Sequence, residues 1–136
     1  MEIEIIKQAV SEYYYIPLDI LLHPTRKRKI VQARQTAMYF ANKITKRSSS
    51  YIGQRIGQKD HATVLHAYKT INNLLDTDKD YFLEHNELYL IIKDKIEQYN
   101  KKRSEESKNI NNNKKYRHNK LISNMNRRKH YKNKTS

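Results

Sequence analysis

The chain contains no cysteine, and only two glycines and two prolines in 136 residues. Without cysteine there are no disulfides, no thiolate zinc fingers and no cysteine nucleophile, a composition compatible with a reducing compartment. With so few turn residues a hairpin-rich β fold is excluded, because such folds need glycine, proline or asparagine turns every few positions. Long apolar runs are lacking too: Ile16 to Leu22 is far too short to cross a bilayer. The N-terminus, Met1-Glu2-Ile3-Glu4, is acidic where a signal peptide would be basic. The expectation is a cytoplasmic, nucleoid-associated protein that contacts no membrane. Reaction chemistry is also missing. No carboxylate pair, nucleophile triad or metal-ligand cluster stands at useful spacing, and His61 and His66 are five apart, poor spacing for sharing a metal on a helix. No enzyme activity, cofactor, metal or small-molecule substrate is expected.

What is abundant is positive charge, and its distribution is uneven. The formal net charge is +14. From Met1 to Pro24 one lysine meets four acids, whereas Thr25 to Lys59 holds ten Lys or Arg and no acid at all. From Asp60 to Asn100 four lysines meet eight acids, and Lys101 to Ser136 carries thirteen basic residues against two glutamates. A basic block set inside an otherwise acidic domain is an electrostatic footprint for a polyanion, beyond anything solubility requires.

Hydrophobic periodicity predicts helices throughout. Ile3, Ile6, Ala9, Val10, Tyr13 and Tyr14 recur at helical spacing in a first helix, so the tyrosine run 13–15 reads as packing rather than base stacking or nucleophile. Pro17 suits the start of a short helix, Leu18 to His23, that Pro24 helps to end. Ile30, Ala33, Ala37, Phe40, Ala41 and Ile44 form one face of a third helix of about four turns. Ser48-Ser49-Ser50 offers caps for a short helix with Ile52 and Ile56 at i, i+4. Gly57 breaks it, and Asp60 caps a fifth helix striped by Val64, Tyr68, Ile71 and Leu75. After a turn at Asp76-Thr77-Asp78, a last helix faces inward with Leu88, Ile91, Ile92, Ile96 and Tyr99. The expected fold is all-α, a compact five- to six-helix domain over residues 1–100. Beyond Lys101, eight asparagines are scattered among lysines and arginines with few aliphatics. Residues 101–136 are therefore expected to form a basic tail, disordered when free.

A short helix, a tight turn at Gly57-Gln58-Lys59 and a second helix opening at Asp60 or His61 describe a helix-turn-helix. The string Ile56-Gly57-Gln58-Lys59-Asp60-His61-Ala62-Thr63-Val64-Leu65-His66-Ala67 resembles the signature of the C-terminal DNA-binding domain of the bacterial replication initiator DnaA, usually G-G-R-D-H-T-T-V-x-H-A. Upstream, Val10-Ser11-Glu12-Tyr13-Tyr14 with Leu18-Asp19-Ile20-Leu21-Leu22 is similar to that domain's opening helices. Arg26-Lys27-Arg28-Lys29-Ile30-Val31-Gln32-Ala33-Arg34-Gln35-Thr36-Ala37 is similar to its basic loop and long helix. The likeness runs in order and without gaps from about Ile6 to Ile71.

The resemblance implies a Trp-repressor-like fold and a division of labour among named residues. Arg26 matches an arginine that enters the minor groove, where a narrow A·T tract concentrates negative potential. Asp60, His61 and Ala62 match base-reading positions in the major groove, and an aspartate there can accept from a cytosine amino group. Arg28, Arg34, Gln35, Lys43, Lys59 and Thr63 fall on phosphate-contacting positions, Lys43 being adjacent to Asn42, which replaces a usual lysine. Such contacts set register and affinity. Ala62 replaces a threonine, Ser49-Ser50 replace Leu-Pro, and Gln58 replaces a turn glycine.

No G-x-x-x-x-G-K-[ST] loop is present, so the ATP chemistry of the initiator is not expected, and the resemblance is to a free-standing reader of the initiator's box. The leading expectation is sequence-specific binding of double-stranded DNA at DnaA-box-like sites, in control of replication initiation or transcription, with the host initiator as a competitor at its sites. Two alternatives stand beside it. One is a nonspecific nucleic-acid-packaging or RNA-binding protein acting mainly through its tail. The other is a module gripping an acidic protein through the Thr25–Lys59 face.

Overall fold

The computed structural model describes residues 1–135, with side chains placed up to Lys120 and at Ile122. Six helices follow in order: α1 Glu2–Tyr13, α2 Leu18–Leu22, α3 Arg28–Thr45, α4 Ser49–Arg55, α5 His61–Thr77 and α6 Lys79–Thr135. No strand occurs among the described residues. The chain divides into two units, Met1–Ile96 and Glu97–Ser136.

In the first unit α3 is the central element, packed against α1, α2, α4 and α5. Small residues on its inward face, Ala33, Ala37 and Ala41, let neighbouring helices approach, and Phe40 and Met38 fill what remains. Ile6 and Val10 from α1, Leu21 from α2, Ile52 and Ile56 from the α4 segment, Val64 and Ala67 from α5, and Leu88 and Ile92 from α6 complete one core. The buried stripe of α5 is Val64, Ala67 and Ile71; of the expected set, Tyr68 and Leu75 are only half-buried at its margin.

Helix boundaries show where local chemistry acts. Glu2 and Glu4 sit in the first turn of α1, favourable against the positive end of its dipole. The helix ends in a Schellman motif: the Ile16 amide donates to the Ser11 carbonyl at 3.0 Å, and the Tyr15 amide to Glu12 at 3.3 Å. The residue in the left-handed position is Tyr15, with φ of 55°, where glycine is usual. Tyr15 is therefore turned out into solvent, 93% exposed, and differs from the packing expected of the tyrosine run. Tyr13 and Tyr14 do pack, their rings edge to face at 5.1 Å. α3 begins at Arg28, inside the basic cluster, and runs 18 residues, five turns rather than four. Only Asp78 separates α5 from α6, its carboxylate accepting from the Tyr81 amide at 3.0 Å.

α6 brings a buried polar cluster that the apolar pattern had hidden. The His85 ring stacks on Phe40 with centroids 4.3 Å apart. Its Nδ1 lies 3.4 Å from the Tyr81 hydroxyl, which shares a 2.7 Å hydrogen bond with the Thr36 hydroxyl. Burial holds the His85 imidazole down to about 4, so it is neutral at physiological pH.

The second unit belongs to α6, which extends to Thr135. Its helical course is consistent with the absence of any glycine or proline beyond Gly57, in a stretch rich in lysine and arginine. Every described side chain from Lys101 to Lys120 is exposed. Ser136, the last residue of the expected tail, lies outside the described residues. No helix among the described residues is long and apolar enough to cross a membrane.

Candidate nucleic-acid interface

α4 and α5 pack against each other through a tight turn, and a glycine makes the approach possible. The Lys59 amide donates to the Gly53 carbonyl at 2.8 Å. A Cβ built on Gly53 would stand 2.2 Å from the Lys59 carbonyl oxygen, so only glycine fits. The turn itself is left-handed at two successive residues, Gly57 with φ of 87° and Gln58 with φ of 53°. Glycine meets this at no steric cost; Gln58 bears strain there. Ser48 caps α4 by accepting from the Tyr51 amide at 3.2 Å, and Asp60 caps α5 by accepting from the Thr63 amide at 2.9 Å. That hydrogen bond is the first reason the Asp60 carboxyl is held below the usual aspartate range.

The turn places the expected base-reading residues of α5 together. Asp60, His61 and Ala62 are exposed in the cap and first turn, with the Thr63 side chain beside them. Lys59 is half-buried just before them, and a shallow hollow lined by Gln54, Gln58, Lys59 and Asp60 opens at the same corner. Leu65 continues this outward face and is 52% exposed.

Arg26 and Arg28 are exposed, in the loop before α3 and at its first residue. The beginning of α3 carries no acid in its first turn and no side-chain cap, only cations. Positive charge at a helix N-terminus opposes the dipole by about 0.3–1 kcal/mol per residue. Such an arrangement is favourable only when an anion approaches. Gln35, about two turns along, is half-buried on the same helix.

Arg34 departs from its expected place on a phosphate. It is 4% exposed, and its Nε donates to the Leu21 carbonyl at 2.8 Å while its Nη2 donates to the His23 carbonyl. A Cβ on Gly57 would meet its Cδ at 3.2 Å. The side chain thus fills the space between the end of α2, which launches the basic loop, and the turn of the helix-turn-helix. The cause is helical phase: Arg34 falls on the arc shared with Ala33, Ala37 and Ala41, and a buried guanidinium takes the nearest unpaired carbonyls at the end of α2. The phase was readable in the sequence; the carbonyls were not.

Lys43 is also set apart. Its ammonium lies over the Tyr39 ring at 5.4 Å, and the Tyr39 hydroxyl donates to Asn72 at 3.1 Å. Asn72 is about 16 Å along the α5 axis from His61, by the usual rise per residue. The structure therefore brings Lys59, Asp60, His61, Ala62 and Thr63 together at the turn, while Arg26 and Arg28 follow the end of α2, whose Leu22 carbonyl lies beside Gly57, and Lys43 stands at a distant edge. Gly53 was missed, although a glycine between Gln54 and the buried Ile52 signals close backbone approach. Among the described residues no group of three or more His, Asp or Glu could hold a metal ion.

A helix-turn-helix with a capped second helix and a cationic loop beside it defines a DNA-binding module of the all-α class. The chain belongs to the family of the bacterial DnaA helix-turn-helix, whose family model matches residues 3–71. It is 52% identical over 81 residues to the chromosomal replication initiator protein DnaA of Flavobacterium psychrophilum, an alignment covering 60% of this chain and 17% of the relative. The protein of the same name from Bacteroides thetaiotaomicron is 43% identical over 93 residues, covering 68% of this chain and 20% of the relative. That from the Wolbachia of Brugia malayi is 40% identical over 88 residues, covering 65% and 19%. The chain spans about a fifth of the length of these curated relatives.

Proposed function

We propose that this chain binds double-stranded DNA in a sequence-specific manner at DnaA-box-like sites and acts in the control of replication initiation. The observation that carries the reading is the Arg34 keystone. By holding the Leu21 and His23 carbonyls on one side and lying under Gly57 on the other, it sets the basic loop beside the helix-turn-helix turn. Arg34 thereby links the end of α2, which leads into the loop of Arg26, to the turn that precedes His61. Arg26 is assigned to the minor groove, and Asp60, His61 and Ala62 to base edges in the major groove. Arg28, Gln35, Lys59 and Thr63 are assigned to phosphates, with Lys43 at the margin. A chain that reads the same box as an initiator would compete with it for those sites.

The test is binding to a duplex carrying a DnaA box against a scrambled duplex at about 150 mM salt, where surface charges are screened beyond roughly 8 Å. Preference for the box, erased by Arg26→Ala and by His61→Ala, supports the reading. Equal binding to both duplexes, lost only when the chain ends at Asn100, favours the second reading. In that reading the thirteen basic residues beyond Asn100 hold nucleic acid without regard to sequence.

A further inference from the structure

Arg47, Tyr51 and Arg55 form a cationic platform on the flank of α4 that none of the expected contacts uses. The Arg47 guanidinium lies 5.0 Å from the Tyr51 ring centroid, and the Arg55 guanidinium lies 5.0 Å from the same centroid. Two like charges are thus held no more than about 10 Å apart by one aromatic ring. Both arginines are exposed, and the ring between them is half-buried. The ion pairs among the described residues join Lys7 to Glu4 and Lys95 to Glu12, so neither guanidinium rests on a carboxylate. The backbone builds the arrangement from both ends. Lys46 turns the chain in a left-handed conformation with φ of 56°, which carries Arg47 back toward Tyr51. At the far end the Lys7 ammonium donates to the Arg55 carbonyl at 3.1 Å while Glu4 neutralises it at 2.9 Å.

A pair of guanidiniums without a counter-ion is a repulsive arrangement, and the ring offsets only part of that. Their N–H edges stay free to donate in parallel to an oxyanion, the geometry that suits arginine to phosphate. In a helix-turn-helix the first helix crosses the sugar-phosphate backbone. We infer that Arg47 and Arg55, oriented by Tyr51, clamp successive phosphates of the duplex flanking the recognised site. This inference rests on the duplex-binding reading above. The platform contributes affinity without sequence choice.

The test uses the full chain with two duplexes, one trimmed to the box and one extended by a helical turn, about 10 base pairs, on each side. Binding is followed across a salt series for the parent, R47A/R55A, Y51L, and a charge-matched control, K79A/K93A. The double arginine variant is expected to bind the extended duplex about tenfold or more weakly. Its log K against log salt should flatten by about two, with the box-to-scramble ratio unchanged. Y51L should lose part of the affinity and keep the slope, because its charges remain. An unchanged slope, a loss matched by the control, or a lower melting temperature with unaltered binding would overturn the inference. If the parent binds box and scramble alike, the box reading fails, and the clamp stands or falls on the slope alone.

Discussion

Gly53 shows how much a single missing side chain can decide. Its carbonyl and the Lys59 backbone are in such close contact that a methyl group would meet an oxygen at 2.2 Å. Gly53→Ala is expected to destabilise the domain by about 2–3 kcal/mol and to separate α4 from α5. Thermal melting and box binding should fall together. Gln58 is the opposite case, since its φ of 53° is a conformation glycine adopts freely. Gln58→Gly should raise stability by up to about 1 kcal/mol in a denaturant titration, without altering the base-reading side chains. At Asp60, capping and base reading can be separated, because asparagine caps as well as aspartate. Asp60→Asn should keep the melting temperature and lose discrimination at the base the carboxylate reads; an unchanged preference would assign Asp60 to capping alone. The Asp60 carboxyl is held down by its capping bond, so its contribution is present above the ordinary aspartate value and fades as pH falls below it.

At the scale of elements, most of the helices were legible from residue spacing. The Ser48 and Asp60 caps and the break at Gly57 all stand where local chemistry puts them. Helix ends without a conventional signal were not legible: α1 stops before a left-handed tyrosine and α3 at a left-handed lysine, both exposed and neither a glycine. Arg34 is the element-scale lesson. It joins α3 to the end of α2 through charge-assisted hydrogen bonds that leave it no free edge toward Leu21 and His23. Arg34→Ala should cost about 2–4 kcal/mol in unfolding free energy and, by releasing the basic loop from the turn, should lower the preference for the box over a scrambled duplex in the protein that is still folded. A loss of affinity with full stability would return Arg34 to the phosphate set. α6 carries its own pH signature. His85 titrates near 4 in the fold and near 6.5 when unfolded, so the unfolded chain takes up the proton first. Stability is therefore complete above about pH 6.5 and declines toward pH 4. His85→Phe, which keeps a ring against Phe40, should flatten that decline in melting temperature.

For the whole molecule, the two basic blocks differ in kind. The block in the first unit is built into α3, α4 and the turns around them, on a packed core. The second unit is a helical segment whose described side chains beyond Asn100 are all exposed, so its helicity rests on propensity alone. Helices of that sort are sensitive to charge repulsion between neighbouring lysines. Duplex phosphates should relieve the repulsion, and circular dichroism of the full chain should gain helical signal on adding DNA. A chain ending at Asn100 should show no such gain, bind more weakly, and retain its box preference. Equal gains in both chains would place the ordering elsewhere.

Composition, spacing and charge order by themselves determined an all-helical domain and the position of the helix-turn-helix, and the residue strings around it carried the family likeness. These are local properties: helical period, capping residues and a run of cations are written within a few neighbours of each other. Tertiary structure alone decided that Arg34 is a buried strut, that Gly53 must lack a side chain, that His85 is neutral, and that Arg47 and Arg55 share one ring. Each of those depends on which carbonyl, ring or backbone atom comes within a few ångströms from a distant part of the chain. Such contacts arise only when helices pack, because burial removes water as the alternative partner and leaves each polar group to the neighbours the fold supplies.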